Sequence, residues 1–112
     1  MWDDGGMSET EPACGGAADL SDATRRFLKA LASEHRQQTM MLFHGGIELS
    51  VGEVAQRLNA GQSTASQQLT MLREAGMLTS RRDGKTVYYR ADPAGIGAAL
   101  TELQAYLAVC CP

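Results

Sequence analysis

Two thiols stand side by side in this chain. Cys110 and Cys111 directly precede Pro112, and the third cysteine, Cys14, is followed by Gly15 and Gly16. On an intact helix adjacent side chains diverge by about 100°, a poor geometry for holding one ion. Proline disfavours the α conformation in the residue before it, so the last turn can open and bring both sulfurs to one point. Cys14 can add a third thiolate, from the same chain or from a second copy. Three sulfurs without a His or carboxylate partner favour a thiophilic, three-coordinate ion such as As(III) or Sb(III), because Zn(II) prefers four ligands. The same thiols could instead form a disulfide, a persulfide or a sulfenic acid. Cys110 also falls on an apolar seam, where a cysteine can serve as a small hydrophobe.

A second stretch carries hydrogen-bonding chemistry. The first half of Gly61 to Gly76 holds Gln62, Ser63, Thr64, Ser66, Gln67 and Gln68. Gln67 and Gln68 can pair with adenine N6 and N7, Thr64 can meet a thymine methyl, and Ser63 and Ser66 suit phosphates. The second half turns apolar at helical spacing, with Leu69, Met71 and Leu72 expected inward and Arg73 and Glu74 outward. Gly76 supplies the left-handed residue on which helices commonly stop. A helix anchored by its C-terminal half, with a polar N-terminal half, is built to lie in a DNA major groove. No partner base, Gly-rich phosphate loop or catalytic constellation accompanies these residues, so no enzyme is expected.

The elements that must position both sites follow from the chain in order. Residues 1–18 are rich in Gly and acids and poor in large apolar groups, which predicts a mobile acidic arm. Residues 19–112 are expected to form one domain. Leu20, Phe27, Leu28 and Leu31 recur at helical spacing, with Asp19 or Ser21 as N-cap, so a first helix should run to about Ala32. Ser33 can cap a second helix from Glu34 to His44, its Met40-Met41 pair in the core and Gly45-Gly46 ending it. Ile47-Glu48-Leu49 is long enough only for a bridging strand. Ser50 and Glu53 make a capping box that opens a third helix, Val51 to Leu58. The break Asn59-Ala60-Gly61 then leads into the polar-fronted helix, and two short helices around such a turn are a helix-turn-helix. After Gly76 the period falls towards two. Met77 to Arg82 and Lys85 to Arg90 flank Asp83-Gly84, a hairpin signal, and a basic-tipped hairpin here is a wing. Asp92-Pro93 starts a last helix whose Ile96, Leu100, Leu103, Leu107 and Cys110 form an a/d-like seam, a face suited to dimer contact. The fold class expected is therefore mainly α with a β-hairpin wing.

A chain of 112 residues with formal net charge −3 looks unsuited to nucleic acid until the charge is divided. Residues 1–22 hold Asp3, Asp4, Glu9, Glu11, Asp19 and Asp22 with no Lys or Arg, so the remainder carries every base and is net positive. Arg73, Arg81, Arg82, Lys85 and Arg90 cluster on the polar-fronted helix and wing, where Arg81, Arg82 and Lys85 suit phosphate or minor-groove contact. No run of about 18 apolar residues exists and no basic-then-apolar leader is present, so a cytoplasmic setting without membrane contact is expected.

From about Phe27 to Arg90 the sequence resembles the ArsR/SmtB family of bacterial winged helix-turn-helix repressors. The resemblance is carried by Leu31-Ala32-Ser33-Glu34-His35-Arg36, Leu49-Ser50-Val51-Gly52-Glu53-Val54-Ala55, Gln62 to Leu69, Leu72-Arg73-Glu74-Ala75-Gly76, and Arg81 to Arg90. It implies a homodimer, assembled through the first and last helices, that represses double-stranded operator DNA until an inducer binds. Where the family carries Cys-Val-Cys, this chain has Ser50-Val51-Gly52, and no His follows His44, so neither of those metal sites carries over. Cys110-Cys111 resembles the vicinal cysteines of the arsenical-sensing branch. The run Leu-Ser-Val-Gly-Glu and the C-terminal cysteine resemble the persulfide-responsive, BigR/SqrR-like branch, although Thr39 to Leu42 lacks that branch's second cysteine. The expected inducer is As(III) or Sb(III) at Cys110, Cys111 and Cys14, with thiol redox or persulfidation as the alternative and no obligatory cofactor.

Overall fold

The computed structural model describes residues 19–110. The expected acidic arm, Cys14 and Cys111 lie outside this range. Five helices and a three-stranded sheet follow in the order α1 (Asp22–Leu31), α2 (Glu34–Met41), a 3-10 turn (His44–Gly46), β1 (Leu49–Ser50), α3 (Val51–Leu58), α4 (Gln62–Glu74), β2 (Leu78–Asp83), β3 (Thr86–Ala91) and α5 (Pro93–Cys110).

Local chemistry sets the boundaries. Ser21 and Ser33 cap α1 and α2 by accepting from the N–H groups of Thr24 and Arg36. Ser50 and Glu53 form the capping box at α3, with Ser50 N–H donating to Glu53 Oε1 at 2.8 Å. Asn59 ends α3 in the left-handed conformation, and Ala60 N–H returns to Ala55 O at 2.9 Å. Gly76, at φ 83°, does the same for α4, its successor Met77 donating to Leu72 O at 3.0 Å. Both are the left-handed closures that satisfy the last carbonyls of a helix.

α2 is shorter than its apolar run suggests. It stops at Met41, and the chain then turns through Gly45 and Gly46, both at φ 77°. That turn lets Phe43 enter the core at 1% exposure while Met41 faces solvent at 68%. Met40 packs partly buried against the core, but Met41 does not belong to it.

The sheet order is β1-β3-β2, all antiparallel, with Leu49 opposite Tyr89, Ser50 opposite Tyr88, and Arg81 opposite Tyr88 on the other side. Alternation sends Leu78 and Tyr89 into the core and leaves Arg81 and Tyr88 on the outer face. Phe27, Phe43, Leu49, Val54, Leu69, Leu72, Leu78 and Tyr89 join α1, α3, α4 and all three strands through buried side chains. Thr39 of α2 and Ala99 of α5 complete the enclosure.

Candidate nucleic-acid interface

α3 and α4 are two helices joined at a left-handed Asn59, and α4 is the longer and better anchored. Ala65, Leu69 and Leu72 are all at 0% exposure, which fixes the rotation of α4 about its axis. The opposite face, Gln62, Ser63, Ser66 and Gln67, is exposed, as is Thr64. Met71, expected inward, lies at 44% exposure beside Arg36, whose guanidinium Nη1 is 3.7 Å from the Met71 sulfur. Its neighbours Leu69 and Leu72 already fill the space beneath the helix.

The two glutamines separate. Gln67 projects into solvent, whereas Gln68 is half-buried and its Oε1 is enclosed without a hydrogen-bond donor among the described residues. A turn of 100° between neighbours puts one amide on the outer face and the other at its edge.

Gly61 gives the start of α4 no side-chain cap, and its first turn holds no acid. α1, α2 and α3 each have a serine cap and an acid in the first turn. The uncapped N–H groups and positive dipole end of α4 suit a backbone phosphate.

The wing continues this face. Arg82 and Lys85 are exposed at its tip, and no carboxylate pairs with either among the described residues. Arg73 of α4 donates to Ser80 Oγ at 3.4 Å, tying helix to wing. Arg81 is differently engaged. Its Nε and Nη2 each lie 2.8 Å from the two oxygens of Glu48, its Nη1 is 3.9 Å from Asp83, and its guanidinium carbon sits 4.8 Å from the centre of the Tyr88 ring. The hydrogen bonds that Arg81 donates hold the Glu48 carboxyl below its ordinary value and raise that of Arg81 itself, each against a smaller desolvation effect. Glu48 is not among the residues expected at this site: alternation along Ile47-Glu48-Leu49-Ser50 puts it on the outer face, but nothing local names a partner thirty-three residues away.

α5 carries the other expected site. Leu100 and Leu107 are exposed at 51% and 49%, and with Leu103, Gln104 and Ala108 they line a shallow apolar groove. Leu28 of α1 is also exposed. Cys110, the last residue of α5, is disulfide-bonded. His44, expected to finish a helix, places Nδ1 3.0 Å from Met41 O. No group of three His, Cys, Asp or Glu able to hold a metal occurs among the described residues, and none of their helices is long and apolar enough to cross a membrane.

A helix-turn-helix with a polar outward helix and an adjoining antiparallel hairpin defines the class: a winged helix-turn-helix protein. Residues 33–80 match the model of the bacterial regulatory protein arsR family. The transcriptional activator HlyU of Vibrio cholerae is 44% identical over 62 residues, covering 55% of this chain and 56% of that protein. A putative arsenical resistance operon repressor ArsR of Halobacterium salinarum is 37% identical over 90 residues, covering 80% of this chain and 68% of the other. Among solved structures, a homodimeric winged helix-turn-helix DNA-binding domain from Mycobacterium bovis, a possible ArsR-family regulator, superposes with a TM-score of 0.61 at 30% identity over 80% of this chain and 91% of its own. This chain belongs to the ArsR family of winged helix-turn-helix transcriptional regulators and is not an enzyme.

Proposed function

We propose that the protein is a homodimeric cytoplasmic repressor that holds double-stranded operator DNA through α4 and the wing and lets go when As(III) or Sb(III) enters thiolates at Cys110 and Cys111, with Cys14 as third ligand. The division of α4 carries the DNA part of this reading. Three side chains at 0% exposure lock one face, so the opposite face offers Gln62, Ser63, Thr64, Ser66 and Gln67 in a fixed orientation. Gln67, rather than Gln68, is the base-reading amide; Arg82 and Lys85 meet phosphates beside the groove. Exposed Leu28, Leu100 and Leu107 support pairing of two copies through α1 and α5. The inducer acts by linkage: it binds better to the dimer geometry that mis-spaces the two copies of α4, and its differential affinity sets the loss of DNA affinity.

One observation favours a second reading, thiol oxidation or persulfidation at the same cysteines: Cys110 is disulfide-bonded. Titration of a labelled complex, with an operator selected from a random duplex pool, separates the two. Arsenite release of the reduced protein supports the first, and release only by an organic persulfide supports the second. Release of Cys110→Ser/Cys111→Ser at wild-type inducer concentration would sink both.

A further inference from the structure

The wing presents several cations, yet one of them is occupied. Strand alternation puts Arg81 on the outer face of the sheet with Tyr88, and Arg82, paired with Val87, on the face shared with buried Leu78 and Tyr89. That second face is the one packed against α4. The Glu48 carboxylate precedes β1 and reaches across the central strand β3 to Arg81 on β2, whose guanidinium sits over the Tyr88 ring. It is bidentate, the geometry that best saturates a guanidinium. Arg81 and Glu48 remain 54% and 31% exposed. An ion pair so open to solvent contributes little to stability, and its main consequence is where the positive charge is spent.

We propose that Glu48 is a specificity-determining residue: by holding the Arg81 guanidinium over Tyr88, it withholds that cation from DNA phosphates and leaves the wing to engage DNA through Arg82 and Lys85. Every cation that meets phosphate adds affinity for any duplex, irrespective of sequence. Withholding one lowers binding to non-operator DNA while leaving the base-reading face of α4 untouched. The inference rests on the wing's contacting DNA, and its test is arranged to report on that as well.

The probe is a fluorescent mixed-sequence duplex, with affinity followed across a range of salt concentrations. Each phosphate contact contributes about 0.9 to the slope of log affinity against log salt. Arg82→Ala and Lys85→Ala are expected to flatten the slope by about that amount per bound protomer, while Arg81→Ala leaves it unchanged. Glu48→Gln should steepen it by a similar amount and raise affinity at physiological salt about fivefold. The double variant Glu48→Gln/Arg81→Ala should return to wild type, with circular dichroism confirming the fold of each. A gain that survives in the double variant means only that a negative charge was removed and overturns the proposal. So does the absence of a gain in Glu48→Gln, or an Arg81→Ala slope as flat as that of Arg82→Ala. If Arg82→Ala and Lys85→Ala change nothing, the wing does not touch DNA, and the proposal falls with that reading.

Discussion

Gly95 lies directly against the carbonyl of Gly76: a Cβ built on Gly95 would stand 2.2 Å from that oxygen and 2.9 Å from Asp92 Oδ2. Gly76 closes α4 and Gly95 sits in the first turn of α5, where its N–H donates to Asp92 Oδ1 at 3.2 Å. The helix that bears Cys110 is thus seated on the turn that ends the polar-fronted helix, with no side chain between them.

The seat can be tested by contrast. Gly95→Ala must push backbone away from backbone, which is expected to cost about 1–3 kcal/mol. Gly97→Ala, two residues on, meets nothing within 4 Å and should stabilise by about 0.5–1 kcal/mol through helix propensity. Urea unfolding of the two variants checks this, and equal effects would show that the close approach is unimportant.

Gln67 and Gln68 should part company in a binding assay. Gln67→Ala is expected to lose about 1–3 kcal/mol of discrimination between selected operator and scrambled duplex. Gln68→Met removes an enclosed, unsatisfied oxygen and should leave discrimination intact while holding or raising stability by about 1 kcal/mol. Loss of specificity in Gln68→Met alone would reverse the assignment.

Glu102 makes a pH dependence. Its carboxylate on α5 accepts from the hydroxyl of buried Thr24, and from the N–H and hydroxyl of Ser21 at 2.6 and 2.8 Å, so it fastens α5 to the start of α1. These bonds, that from Thr24 foremost, hold its carboxyl below the ordinary 4.5. A depressed folded value means that the unfolded chain takes up the proton first as pH falls. The stability contributed is therefore complete above 4.5 and is lost as pH drops from there through the lower folded value. Glu102→Gln should show a shallower acid limb in a stability-against-pH series. Superimposable acid limbs would mean the carboxylate is not so held.

Leu107→Glu places a charge on the apolar groove of α5. If two copies pair there, each loses a buried leucine, and the dimer should weaken by about 3 kcal/mol, roughly a hundredfold in dissociation constant. Sedimentation equilibrium gives the answer directly. An unaltered dimer would move the interface elsewhere.

What could be read from sequence was whatever depends on neighbours in the chain. The capping box at Ser50 and Glu53, the Asp83-Gly84 turn and the start of α5 at Asp92-Pro93 are local signals, and the elements they open or join appear within a residue or two of their expected places, whereas α2 ends three residues early at Met41. What escaped depends on partners far along the chain. The apolar run Met40 to Phe43 read as one helix because its composition does not reveal that Phe43 must turn inward at Gly45. Met71 is the exception: it stands two residues after Leu69 and one before Leu72, offsets that turn it away from their shared face, so its exposure follows from helical spacing itself. Arg81 looks like Arg82 in composition, and only the sheet register distinguishes them. At the thiols, sequence names the sulfurs, and of the three only Cys110 lies among the described residues.

Ser50 is at once a strand residue paired with Tyr88 and the N-cap of α3, and this sets an order of assembly. α3 and α4 touch through short-range contacts, which cost little chain entropy to close. β1 gains its partner only when β3 has been made and carried back across the whole helix-turn-helix. The helical pair should therefore nucleate first and the sheet should lock it afterwards. In native-state hydrogen exchange, the amides that bond β1 to β3 would then open together and ahead of those of Leu69 and Leu72.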